Sequence, residues 1–215
     1  MAALRPLLSL SLLLAFSCGA SEVTPPPVIP PLESVPSIAA EAPQRRVVTV
    51  VATNDIHGHL ERLPDFGGYV RILRRLRSRD GGVLLIDAGD MWQGTIASNM
   101  DEGATAVEAF DALGYDAVTI GNHEFDYGPV GERATPAGDD DDPFGALKAR
   151  ASEADFPFLA ANIRLADGGE SPDWPNVRPS ALVERGGVTV GMIGVTTEDT
   201  LSTTIAANVR TLAIA

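Results

Sequence analysis

Three apolar runs, each ending in a cluster of Asp, His or Asn, constrain this chain more than any other feature. Val47-Val48-Thr49-Val50-Val51-Ala52 leads into Asn54-Asp55-Ile56-His57-Gly58-His59. Val83-Leu84-Leu85-Ile86 leads into Gly89-Asp90-Met91-Trp92-Gln93-Gly94, and Ala117-Val118-Thr119-Ile120 into Gly121-Asn122-His123-Glu124-Phe125-Asp126. Short β-branched runs of this kind read as strands buried on both faces. Between them lie helical patterns: Tyr69, Ile72, Leu73 and Leu76 at helical spacing, then Ala104 to Leu113 closed by Gly114. Alternating strand and helix predicts an α/β fold with a parallel sheet. Such sheets gather ligands at the carboxyl ends of their strands, where these clusters fall.

The chemistry of the clusters points to metal ions. Asp55 and His57 are one residue apart, which puts both side chains on the same side of an extended or turning backbone. Oxygen and imidazole together suit Zn, Mn, Fe or Ni better than Ca or Mg. Asp90 has two carboxylate oxygens and can bridge two cations. Asn122 offers an amide oxygen. His123, next in sequence, is expected to point elsewhere and act on substrate. Asp126 is placed to fix its tautomer and stabilise its protonated form. Each cluster alone is weak: Gly-Asp is a common turn, and Asn-His-Glu can be cap chemistry. All three in order, each after a buried strand, are specific. The chain's three histidines all fall within them. His59 reads as loop.

The remaining chain is less informative. Arg71, Arg74, Arg75 and Arg77 read as a solvated helix face. Asp139 to Asp142 read as a solvated loop, because they lack the ligand spacing and turn glycine of an EF-hand. Phe158 to Ile163 reads as a fourth strand. Ala181 to Glu184 and Val188 to Val195 flank a turn at Arg185-Gly186-Gly187 and read as a hairpin. The sequence has no P-loop, no Gly-x-Ser-x-Gly and no Cys-x-x-Cys, so triphosphate, serine-hydrolase and thiol redox chemistry lack support.

The N-terminus reads as an address. Arg5 precedes an apolar run from Leu7 to Phe16, too short to span a bilayer, and small residues follow. Residues 1–18 are expected to be a signal peptide. Cys18, the only cysteine, sits where a bacterial lipobox cysteine is acylated. Ordinary cleavage near Ala20 is the alternative. Residues 19–46, with Pro25-Pro26-Pro27, Pro30-Pro31, Pro36 and Pro43, are expected to form a disordered tether, and 47–215 the folded domain. The net charge of −13 argues against binding a nucleic-acid duplex.

Asp55-x-His57, Gly89-Asp90-x-x-Gln93-Gly94 and Gly121-Asn122-His123-Glu124 resemble the calcineurin-like metallophosphoesterases. Thr53 to Gly58 and Asn122 to Asp126 resemble, more narrowly, secreted bacterial 5′-nucleotidases and 2′,3′-cyclic nucleotide phosphodiesterases. The resemblance implies the N-terminal portion of a four-layer α-β-β-α sandwich, apparently truncated. It implies two divalent metal ions (Zn, Mn, Fe or similar), with Asp55, His57 and Asp90 on one and Asp90 and Asn122 on the other. It makes His123, paired with Asp126, catalytic. Substrates would be small phosphate esters, nucleotides or cyclic phosphodiesters, and the protein would be exported to the cell envelope, periplasm or exterior. The family adds a later His and a His-x-His or His-x-Gln pair, which have no counterpart here. The expected alternative is therefore a non-catalytic surface lipoprotein binding a metal or phosphate ligand through a remnant site.

Overall fold

A computed structural model describes residues 45–215. The readings on residues 1–44, Cys18 included, lie outside the described residues. The elements run β1 (Val47–Thr53), α1 (Leu63–Arg77), β2 (Gly81–Asp87), α2 (Ile96–Asn99), α3 (Ala104–Leu113), β3 (Ala117–Thr119), α4 (Gly145–Glu153) and β4 (Phe158–Leu159). They continue with β5 (Ile163–Leu165), β6 (Val177–Arg178), β7 (Ser180–Arg185), β8 (Val188–Ile193), α5 (Thr200–Thr203), α6 (Ala206–Val209) and β9 (Leu212–Ile214).

The main sheet is parallel, in the order β1-β2-β3-β4-β6. β1 and β2 align along their whole length, from Val47 opposite Gly81 to Thr53 opposite Asp87. This register brings the first two ligand clusters out side by side. Leu85, Val118 and Phe158 are fully buried at the sheet centre. α3 covers it with Ala106, Val107 and Phe110, and the Phe110 ring stacks on Tyr115 at 4.1 Å between centroids. Gly114 takes φ 69°, a left-handed cap that ends α3 without the cost of a Cβ.

Three expectations need correction. The first concerns β1, which is a strand but is not buried on both faces. It lies at the edge of the sheet with only β2 beside it, and Val47, Val50 and Ala52 are exposed. Its β-branched residues suit a strand in either setting.

The second concerns α1. Its inward side is Leu63, Phe66, Val70 and Leu73, while Tyr69, Ile72 and Leu76 face outward. Gly67 decides the rotation: a Cβ there would run into the Leu113 side chain, so this bare position is where α1 rests on α3. Arg74 is not part of a solvated face. Its guanidinium donates to the Leu113 and Gly114 carbonyls, both at 2.6 Å, and closes the C-terminus of α3.

The third concerns Phe158 to Ile163, which is two strands. β4 stays in the main sheet for two residues; then the Ala161 N–H turns to the Gly194 carbonyl, and β5 pairs antiparallel with β9. The hairpin is as expected: β7 and β8 pair antiparallel around Gly186-Gly187, with φ of 59° and 74°, values a two-residue turn of this hand requires. Residues after Thr196, unreadable in sequence, form α5, α6 and β9 and fold back toward the third ligand cluster.

Candidate metal centre

The three clusters meet because their backbones bond to one another beyond the sheet. The N–H groups of Asp55, His57 and Gly58 donate to the carbonyls of Gly89, Asp90 and Met91 at 2.9–3.0 Å. Asp55, His57, Asp90 and Gln93 hold φ between 50° and 59°, the left-handed region that non-glycine residues avoid. Each such residue costs of order 1–3 kcal/mol unless its surroundings fix it, and such strain clusters at functional sites.

Glu124 does much of the fixing, a role the sequence did not disclose. It is fully buried, and both carboxylate oxygens accept main-chain N–H groups: Asp90 and Gly121 on Oε2 at 2.9 and 2.6 Å, Met91 on Oε1 at 2.9 Å. Burial pushes its pKa up to about 8, with the Asp90 charge adding to the rise and the three N–H donors opposing it. The three N–H donors favour the ionised carboxylate, while burial and the Asp90 charge favour the protonated acid, which can still accept from all three. Asp90 in turn accepts the His123 N–H on Oδ1 at 2.9 Å, and Trp92 donates to the His123 carbonyl at 3.0 Å.

His57, Asp90 and His123 converge. Each offers one ligand atom, and these atoms lie within 4.8 Å of one another. The His57 and His123 rings meet edge to face, 4.8 Å between centroids. His123 therefore turns toward the other two rather than away, because the short helical turn from His123 to Phe125 begins with its N–H anchored on Asp90. Asp55 lies at the rim, about half exposed, with Oδ1 3.7 Å from His57 Nε2. Asn122 donates weakly from Nδ2 to the Thr203 carbonyl at 3.4 Å, which leaves its amide oxygen uncommitted. Asp126 Oδ2 lies 2.5 Å from His123 Nδ1. His59 stands apart, exposed and near Glu61.

The donor set fits a transition metal or zinc. His57 Nδ1 faces the Gln93 carbonyl at 3.0 Å. A carbonyl only accepts, so Nδ1 carries the proton and Nε2 presents its lone pair, the arrangement common behind metal-ligating histidines. Asp126 Oδ2 gives His123 Nδ1 an acceptor too, which leaves Nε2 as the free ring nitrogen.

Residues after Thr196 buttress this arrangement. Thr204 donates to Asp126 Oδ1 at 2.6 Å, and Asn208 Nδ2 donates to the Phe125 and Ala134 carbonyls at 2.7 and 2.9 Å. Thr196 donates to the Ile120 carbonyl at 2.7 Å. Beneath the site, Thr53 donates to Asp87 at 2.6 Å and contacts the Tyr115 hydroxyl at 2.8 Å. Desolvation raises Asp87 to about 6 and Tyr115 to about 12.

Comparison with known proteins agrees with this geometry. Residues 48–188 match the calcineurin-like phosphoesterase family. Snake venom 5′-nucleotidase of Gloydius brevicauda is 34% identical over 166 residues, covering 71% of this chain and 26% of that protein. Protein UshA of Salmonella pullorum is 31% identical over 178 residues, covering 79% and 29%. The crystal structure of a 5′-nucleotidase precursor from Thermus thermophilus superposes with a TM-score of 0.58 at 29% identity, covering 78% of this chain and 32% of that one. The chain thus spans between a quarter and a third of the length of these relatives. Family members use divalent metal ions, and His57, Asp90 and His123 are a candidate site for one. The chain belongs to the calcineurin-like phosphoesterases, and its relatives within them include 5′-nucleotidases.

Proposed function

We propose that this chain carries the strand-end part of a dinuclear metal site that hydrolyses nucleotide phosphate esters, phosphomonoesters first and cyclic phosphodiesters second. The observation that carries the reading is the convergence of His57, Asp90 and His123, with each imidazole Nδ1 tied to an acceptor. Asp55, His57 and Asp90 are assigned to one ion, and Asp90 and Asn122 to the other. Two bound cations would neutralise charge on the phosphoryl oxygens and lower the pKa of water. The 5′-nucleotidase names of the relatives support nucleotides as the substrate class.

The protein's own groups then have defined tasks. Asp126 keeps the proton on His123 Nδ1 and stabilises the imidazolium. His123 Nε2 is left to donate a proton to the leaving oxygen or to a phosphoryl oxygen. Glu124 fixes the two loops so that neither carboxylate nor imidazole must reorganise when substrate arrives.

A second reading remains: binding of a metal or phosphate without turnover. It is supported by the small number of ligands assigned above, three for one ion and two for the other. Phosphate release from AMP in the presence of Mn²⁺ separates the two. Hydrolysis by wild type that disappears in Asp90→Asn and His123→Ala supports the enzyme. Metal uptake with release no faster than a blank supports binding alone.

We also infer that residues 1–18 direct export and that Cys18 is acylated, with 19–46 as tether and 47–215 as the domain. The N-terminal sequence pattern supports this, and intact-mass measurement of the protein from its native host tests it.

A further inference from the structure

α1 presents an apolar stripe to solvent. Tyr69, Ile72 and Leu76 are 59%, 57% and 64% exposed. Their spacing places them along one line of the helix, with Arg71 and Arg75 on its flank and Arg79 just beyond its end. No carboxylate lies within salt-bridge distance of those three arginines among the described residues. An ordinary solvated face does not place three large apolar side chains in a row.

Charge distinguishes the segment that carries this face from the rest of the molecule. Residues 45–46 and 62–80 contain eight arginines and two aspartates, in a chain of net charge −13. The cluster is also positioned at the end where the N-terminal segment joins. Arg45 and Arg46 lie with Arg79 and Asp80 around one surface cavity, and the Val47 N–H donates to the Asp80 carbonyl at 3.0 Å. The candidate metal centre is at the other end of β1, about 20 Å away for a strand of this length.

We propose that this face of α1 docks on an anionic phospholipid surface. Tyr69, Ile72 and Leu76 enter the interfacial region while Arg71, Arg75 and Arg79 pair with headgroup phosphates, the combination that interfacial helices use. The chain enters the domain beside the same arginines, so a tether held at a membrane brings this end to the lipid. α1 runs alongside β1 and β2, so the metal centre at the strands' carboxyl ends then lies beside the bilayer and stays open to soluble substrate. A second copy of the chain fits less well, because it would bring arginine flank against arginine flank.

The test uses the full chain carrying Cys18→Ser and Gly68→Cys, labelled with an environment-sensitive fluorophore. A Cβ at Gly68 meets nothing within 4 Å, so the Gly68→Cys substitution leaves the packing intact. A matching label on exposed Ser152 is the control. Vesicles of phosphatidylglycerol and phosphatidylethanolamine should brighten and blue-shift the Gly68→Cys label but not the Ser152→Cys label. Phosphatidylcholine vesicles should do neither. Each arginine at an anionic surface contributes about fivefold in affinity, so R71Q/R75Q/R79Q should weaken the response on the order of 100-fold. Y69S/I72S/L76S should abolish the blue shift while leaving salt-sensitive sedimentation with the vesicles. An unshifted label on vesicles that bind the chain would overturn the proposal, since the N-terminal apolar run would then be the contact. So would a response equal on phosphatidylcholine, or a shift without vesicles that grows with protein concentration, which would assign the face to self-association.

Discussion

The Glu124 carboxylate accepts the main-chain N–H of Asp90 at 2.9 Å, and so locks the loop after β3 to the loop after β2. With the Gly121 and Met91 N–H groups also bound, one buried carboxyl group organises both loops. Asp90 can then hold φ 59° at a position where a free loop would relax.

Replacing Glu124 by Gln puts an amide NH₂ against N–H donors. The loss of charge-assisted bonds and the unsatisfied donors should cost about 2–4 kcal/mol. Urea unfolding should show a lower midpoint with little change in m-value. Metal affinity, measured by calorimetry on the folded variant, should fall as well, because the Asp90 backbone is released.

Asp87 predicts a pH dependence. Its folded-state pKa of about 6 lies above the ordinary 3.8, mainly through desolvation. Between those values the native state holds a proton that the unfolded state has lost. Its stabilising effect is complete below about pH 4 and is lost as pH rises through 6. For a shift of about two units the change is about 3 kcal/mol. Thermal melts of metal-free wild type and Asp87→Asn from pH 4 to 7 should differ by this slope, with the variant flatter.

Arg74 and Arg75 are neighbours with different expected effects. Arg74→Ala removes both donors to the end of α3 and should destabilise by about 1–3 kcal/mol. Arg75→Ala, on an exposed position, should change stability by less than about 0.5 kcal/mol. Denaturant titration of the two variants compares them directly.

What the sequence disclosed was what local pattern encodes. Val83, Leu84 and Leu85 are buried on both faces of the sheet, so their apolar run marks a strand without ambiguity. Val47 to Ala52 is just as apolar yet lies at the sheet edge, because composition marks a strand but not its place in the order. The residues that follow each strand are positioned by its end. α1 was ambiguous because it has two apolar lines, Leu63-Phe66-Val70 and Tyr69-Ile72-Leu76, and only the approach of Gly67 to Leu113 selects between them. Glu124 was hidden because a glutamate at a strand end looks like a turn or cap residue. Its partners Asp90 and Met91 are 34 and 33 positions away in sequence, and only Gly121 is local. α5, α6 and β9 are three or four residues long, too short to show a period.

The most direct test is calorimetric titration of the metal-free chain with Mn²⁺ or Zn²⁺, for wild type, His57→Ala and Asp90→Asn. Saturable binding in wild type that weakens on the order of 100-fold in both variants, at unchanged thermal stability of the metal-free forms, is the predicted result. Binding of equal strength in all three would show that the convergence of His57 and Asp90 does not hold the metal, and would contradict the account.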